Sequence, residues 1–164
     1  MTFTRDLPIR RGETFTFSLR WESDVWAYAP ITSIQRTAPV CITTPPHDLP
    51  DGWSVAVIDA RGMTELNAQN NPPLAQDMHR ASVVSSTVVE FNALSAASFG
   101  KHTANTGYLA WRVPRLLAGH LARMQIREHR GGPVLFNLDS VALQGIVLDD
   151  ANKVIQVTLT AEQA

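Results

Sequence analysis

A histidine beside an aspartate is the first place in this chain where chemistry could reside. His47 and Asp48 stand in "PPHDLPDGW" (residues 45–53), a stretch stiffened by three prolines. A rigid loop of that kind could hold the pair as half of a proton relay, provided a nucleophile comes within hydrogen-bond reach. Cys41, the only cysteine, is the nearest candidate. It falls inside an alternating apolar segment, where a small buried side chain is expected, and no Gly-x-Ser-x-Gly elbow accompanies it. No catalytic residue is assigned on this basis, and the chain is expected not to be an enzyme. Metal binding finds no better support. His47, His79, His102, His120 and His129 are widely separated, with no His-x-x-x-His or Cys-x-x-Cys pair. The acidic "DDANK" (149–153) lacks the alternating ligands and terminal Glu of a calcium loop, and a polar hairpin tip explains it. Neither a metal nor a cofactor is expected.

Four tryptophans raise a second possibility, stacking against sugars or against a neighbouring subunit. Trp21 is in phase with Phe15, Phe17 and Leu19 and is expected in a core. Trp26 and Trp53 stand beside turn signals and are expected at the surface. Trp26, Trp53, His47 and Asp48 therefore form the candidate interface set.

These residues sit in a chain of 164 residues with 45% hydrophobic and 18% charged residues, enough to build a core. The formal net charge of −1 and the absence of Lys/Arg runs give no electrostatic basis for nucleic-acid or membrane binding. One cysteine cannot form an internal disulfide. The first residues, "MTFTRDLPIRRGE", lack the apolar core of a signal peptide, so synthesis in a cytoplasm is expected. No run of about 18 apolar residues suggests a membrane span.

Period-two alternation dominates. In "GETFTFSLRW", Phe15, Phe17, Leu19 and Trp21 alternate with polar residues, and "ESD" (22–24) is expected to end that strand. "VWAYAP" is a short candidate stopping at Pro30. "PVCITT" and "WSVAVID" are expected to flank the Pro-rich loop, with Asp51-Gly52 as a tight turn. "ASVVSSTVVEFN" predicts a hairpin turning at residues 85–87, and "NAQNNPPLAQD" (67–77) an excursion. "LSAASFG" predicts a short helical turn. The stronger alternation returns in "HLARMQIRE", "VLFNLD" and "GIVLDDANKVIQVTLT", the last a hairpin with residues 149–153 at its tip. Long period-3.6 patterns are absent, so the fold class is all-β. The early strand at 13–21 lacks a good partner before the late strands arrive. That favours a host domain of residues 1–30 and 111–164 around an insert of 31–110, over one irregular β-sandwich throughout.

The host pattern resembles a family of tailed-phage structural proteins, the immunoglobulin-like N-terminal domain of baseplate upper proteins. "RRGETFTFSLRW" matches its opening, "VPRLLAGHLARMQIRE" its middle, and "IQVTLTAEQA" its closing phrase. Leu116-Leu117-Ala118 depart from the family's Asp-Leu-Thr. The insert resembles a small β-barrel module of phage tail and fibre proteins, similar in fold to the FCCH domain of ubiquitin-activating enzymes and without its chemistry. "VCITTPPHDLPDGWSVAVIDARGMTELNA" and "STVVEFNALSAASFGKHTANTGYL" carry that resemblance, with Asp48 where glycine is usual. The resemblance implies an immunoglobulin-like β-sandwich with an inserted small β-barrel. It implies a non-enzymatic virion structural protein of the tail tip, baseplate or fibre-attachment region, contacting other tail proteins and forming homo-oligomers. At His47 it implies a turn-stabilising hydrogen bond. Relatives continue beyond the closing phrase, so the host is expected to present an open edge that a neighbour fills by strand addition. Two other readings stand beside this one: a capsid decoration protein, and a receptor- or glycan-binding module.

Overall fold

A computed structural model describes residues 8–142 and 144–163. Thirteen strands dominate it: β1 (Phe15–Leu19), β2 (Glu22–Pro30), β3 (Ser33–Gln35), β4 (Val40–Thr43), β5 (Ser54–Ile58), β6 (His79–Arg80), β7 (Ser82–Ser85), β8 (Val88–Phe91), β9 (Tyr108–Pro114), β10 (Arg123–Arg127), β11 (Val134–Asp139), β12 (Ile146–Asp149) and β13 (Val154–Leu159). The helical content among the described residues is two single-turn 3-10 helices, Thr64–Leu66 and Ala75–Asp77, neither anticipated from the sequence. The expected helical turn at "LSAASFG" is a simple turn, closed by Phe99 N–H donating to Ala96 O. The chain is all-β, and its described helices include none long and apolar enough to cross a membrane.

Two compact units divide it, Met1–Trp21 with Pro114–Ala164, and Glu22–Val113. The boundary differs from expectation at β2, which was assigned to the host. Topology is the reason: β2 is the outer strand of the sheet β2-β9-β5-β6, within the second unit. Glu22–Asp24, expected to be a turn, open this nine-residue strand.

In the first unit, β1 pairs antiparallel with β13 in register Phe15↔Leu159, Phe17↔Val157 and Leu19↔Ile155, and β13 also pairs with β12. Opposed residues in an antiparallel pair point to the same face, so this register stacks apolar on apolar. A second sheet, β10-β11, opposes Met124 to Leu138 and Ile126 to Phe136. Leu19 excepted, both sheets turn these residues into one core around Leu138, Ile146, Val157 and Leu159. Trp21 departs from expectation. The β1–β13 ladder ends at Leu19, so nothing extends the alternation to Trp21, and it is 44% exposed.

The second unit consists of the sheets β2-β9-β5-β6 and β3-β4-β8-β7, enclosing a core that includes Trp53, Phe91, Met63, Ile31 and Ile42. Two chain segments pass from one sheet to the other. Ile31 donates its N–H to Gly107 O in the β9 segment, and Thr32 donates to Thr43 O at the end of β4. The chain thus leaves β2 for β3 with no intervening loop. Buried Ala81 likewise joins β6 to β7, exchanging hydrogen bonds with the Gly52–Trp53 segment. Strands that bend at corners to serve two sheets give this unit a barrel-like circuit. "PVCITT" and "WSVAVID" become β4 and β5 as expected, yet they lie in different sheets.

Close backbone approach pins the loops at one end of this unit. Gly62 has φ +79, and a Cβ there would overlap the Lys101 carbonyl oxygen. Gly12 has a similar φ of +78 in open surroundings. Gly12→Ala is expected to lower unfolding free energy by about 1 kcal/mol through backbone strain alone. Gly62→Ala should exceed that, because the overlap adds to the strain. Urea unfolding of both variants tests this, and equal losses would refute the packing account of Gly62.

Candidate functional site

The Pro-rich loop builds its site through hydrogen bonds to the hairpin beside it. Thr44 N–H donates to Thr87 O at 2.9 Å, and His47 N–H donates to Ser86 O at 2.8 Å. Pro45 and Pro46 have no N–H to offer a ladder. The loop is therefore held against the β7–β8 turn instead of continuing the β3–β4 pairing, whose last opposed residues are Ser33 and Thr43. Gly52 turns the chain with φ +66, and Asp51 accepts the Val83 N–H at 2.9 Å. Trp53 then enters the core.

The result is an open cleft of about 400 Å³ lined by Ala27–Pro30 on one side and Pro45–Asp48 on the other, with Trp111 between. Extending the antiparallel register Ser33↔Thr43 backwards would set residues 28–30 opposite residues 46–48. The cleft occupies the gap where that ladder would run if the prolines permitted it.

Within the cleft, His47 Nδ1 accepts the Leu49 N–H at 3.3 Å. This is a turn-stabilising bond of the kind the resemblance implied. It leaves Nε2 to carry the ring hydrogen, in a buried position with no partner in the structure. Burial pushes the His47 pKa below the ordinary histidine value, against the opposing pull of the Asp48 carboxylate. Asp48 itself is exposed. A ring whose Nδ1 is engaged by a backbone amide is a brace for the loop.

The other candidates separate. Trp53 does not reach the surface: it is 0% exposed, and its Nε1–H donates to Arg112 O at 2.8 Å. This corrects the expectation of a surface tryptophan. The turn signal beside it is real, yet Trp53 is the first residue past the turn and points inward ahead of β5. It can neither stack on a sugar nor meet a partner. Trp26 is half-buried, with the Arg112 guanidinium 4.6 Å from the centre of its ring. Arg112 is anchored in turn by donating to Asp24 O at 3.0 Å. One face of Trp26 is thereby occupied by a cation.

Cys41 is half-buried, where a buried position was expected. On β4 the alternate residues Val40 and Ile42 take the core face, leaving Cys41 opposite Glu90 on the other. Its pKa is raised, first by burial and then by Glu90, which opposes formation of the thiolate a nucleophile needs. Among the described residues no group of three or more His, Cys, Asp or Glu is placed to hold a metal ion. At the 149–153 tip, Asp150 accepts the Leu117 N–H at 2.6 Å and the Lys153 ammonium at 2.9 Å, while Asp149 accepts from Asn152. Those carboxylates are occupied in holding the tip and the 115–120 loop.

Three features went unnoticed in the sequence. Buried Asp77 gathers the 67–77 excursion, accepting the N–H groups of Gln69 and Leu74 and the Asn70 amide at 2.9–3.0 Å. The Leu74 N–H above all holds its carboxyl below the usual range. The alternation of acceptor and turn residues in "NAQNNPPLAQD" is its only sequence signal. Buried His102 accepts the Ile34 N–H through Nδ1 at 3.2 Å and meets Thr106 O through Nε2 at 3.0 Å, joining β3 to the 103–106 loop. The third is an apolar display in the first unit: Leu116 at 66% and Leu121 at 70% exposure share a loop with His120, whose ring meets Trp21 edge-on at 5.4 Å. Leu116 belongs to the segment that departs from the resembled family.

Replacing Trp53 by Phe removes one buried donor and strands the Arg112 carbonyl, with an expected loss of about 1–3 kcal/mol. Trp53→Ala should cost about 3–5 kcal/mol by opening a cavity. Denaturant unfolding measures both, and losses near zero would contradict the buried placement. The histidines add a pH dependence. Burial lowers the pKa of His47 and of His79, which stacks on Phe91 at 4.9 Å, below their unfolded values. The unfolded chain therefore binds protons first on acidification. The stability this confers is complete above the ordinary histidine value of about 6.5 and is lost as pH falls below it toward the folded pKa values. Thermal unfolding at stepped pH should show that decline, and the double variant His47→Gln/His79→Gln should flatten it. No family model matches the chain, and no curated protein matches it.

Proposed function

We propose that the protein is a non-enzymatic structural component of a tailed-phage particle, in the tail tip, baseplate or fibre-attachment region. The observation that carries this reading is the apolar display of Trp21, Leu116 and Leu121 on the first unit. Large exposed apolar side chains grouped on one loop suit a contact surface. The loop's backbone is fixed beneath them: Arg115 N–H donates to Trp21 O at 2.8 Å, and His120 N–H donates to Leu117 O at 3.0 Å. Rigid presentation reduces the entropy lost when a partner docks. The resemblance of the two segments to an immunoglobulin-like baseplate domain and an FCCH-like module supplies the phage context. On this reading the protein works by assembly, bringing β modules against copies of itself or neighbouring tail proteins.

Mass spectrometry and electron microscopy of purified particles test the reading. The expected result is the chain in mature particles, with density at the tail end. Density at capsomers would replace the tail assignment with decoration, and absence from particles would overturn the virion reading altogether. A double Leu116→Ser/Leu121→Ser variant should remain folded and fail to incorporate.

A further inference from the structure

The cleft between β2 and the Pro-rich loop is lined by four consecutive residues of one strand, Ala27, Tyr28, Ala29 and Pro30. Side chains alternate across a strand, so a surface touching four in succession runs along the strand's edge. That edge is open by topology, because β2 is the outermost strand of its sheet and β9 lies on its other side. Ile31 donates to Gly107 O on the β9 side. Backbone groups alternate in direction along an antiparallel strand, so the N–H and C=O of Tyr28 point away from β9, into the cleft. The facing wall is short of donors for the Tyr28 carbonyl. Pro45 and Pro46 lack donors, and His47 spends its N–H on Ser86 O.

We propose that this cleft is a strand-addition site for an extended, basic peptide segment of a partner protein, which pairs along β2 through Tyr28. The inference deepens the assembly reading by naming what one of its surfaces takes. An extended backbone is required because only a strand offers paired donors and acceptors at the spacing of a sheet edge. Four residues of β2 span about 13 Å, enough to fix a short segment in register. Basic character follows from charge. Asp48 is exposed in the lining and Glu22 is exposed farther along β2, where Asp24 is paired with Arg112 at 3.8 Å, and none of the lining residues is a lysine or arginine. Half-exposed Tyr28 and the prolines favour apolar side chains between the basic ones.

The test is a titration of the full ¹⁵N-labelled chain with a synthetic decapeptide of alternating lysine and valine. Its glutamate–valine counterpart and a lysine–valine peptide N-methylated at alternate residues serve as controls. The lysine peptide should shift the amide signals of Tyr28, Ala29, His47 and Asp48. The glutamate peptide should bind at least about tenfold more weakly. N-methylation, which keeps the charge and removes backbone donors, should abolish the shifts. Asp48→Lys, a surface change that leaves the fold intact, should reverse the charge preference. Absence of shifts at about 1 mM peptide would overturn the proposal. So would shifts confined to another edge, or equal binding of the N-methylated peptide. If the same amides respond to dilution of the protein alone, a second copy is the occupant and the partner assignment falls. Particle composition is measured separately, so a failed titration with the chain present in tails would reject this site and leave the assembly reading standing.

Discussion

The pairing of β1 with β13 is the constraint on which the first unit depends. Thr16 and Thr158, whose hydroxyls approach to 3.4 Å across this ladder, are 142 residues apart in sequence. Phe15, Phe17 and Leu19 stand opposite Leu159, Val157 and Ile155 across it, and without β1 the sheet would consist of the β12–β13 hairpin alone. A two-stranded hairpin is marginal in water, so β1 is what makes this half of the core sufficient. The register also fixes which side chains are inside. A one-residue slip would turn Thr16 and Ser18 toward Leu138 and Met124.

Much of this was legible because period-two alternation is a direct imprint of a half-buried sheet. β1, β10, β11 and the β12–β13 hairpin all appear where alternation and Gly or Asp-Asn turn chemistry placed them. Alternation fails to report where a ladder stops. Trp21 continues the phase of β1 in sequence, yet the partner strand has ended, so the pattern overshoots into solvent. The same limit misled at residues 22–24, where polar residues suggested a turn and an outer sheet strand accommodates them. Trp53 was misplaced for another reason. Turn residues locate a bend without giving its direction, and only the closing of two sheets around the core shows that the chain bends inward there. Asp77 and His102 were hard to read because most of their partners are backbone groups, which sequence patterns announce weakly.

In the second unit, proline decides what the edge of a sheet is available for. The β3–β4 ladder would extend along β2 if residues 45 and 46 had donors to contribute. Instead the loop turns to the β7–β8 hairpin, His47 braces it through Leu49, and a length of β2 remains open beside an exposed aspartate. The unpartnered Nε2 hydrogen of His47 is a local penalty of that arrangement, of the size expected for any buried donor without an acceptor. Pairing lost at one place thus leaves backbone groups free at another, in a strand whose other side is already satisfied by β9.

The adjacency of β2 and β9 has a bearing on how the chain closes. The inserted unit begins with one of these strands and ends with the other, and the contacts of Ile31 with Gly107 and of Asp24 with Arg112 set them side by side in opposite directions. Its two ends are therefore brought together by its own folding. To the strands β1 and β13 that must find each other, residues 22–113 then count as a short link, and residues 114–153 remain as the loop to be closed. Loop-closure entropy grows logarithmically with length, so shortening a loop of roughly 130 residues to roughly 40 removes about 1 kcal/mol from the cost of the long-range pairing. The insert, by folding first, would act as an internal catalyst of its host's closure.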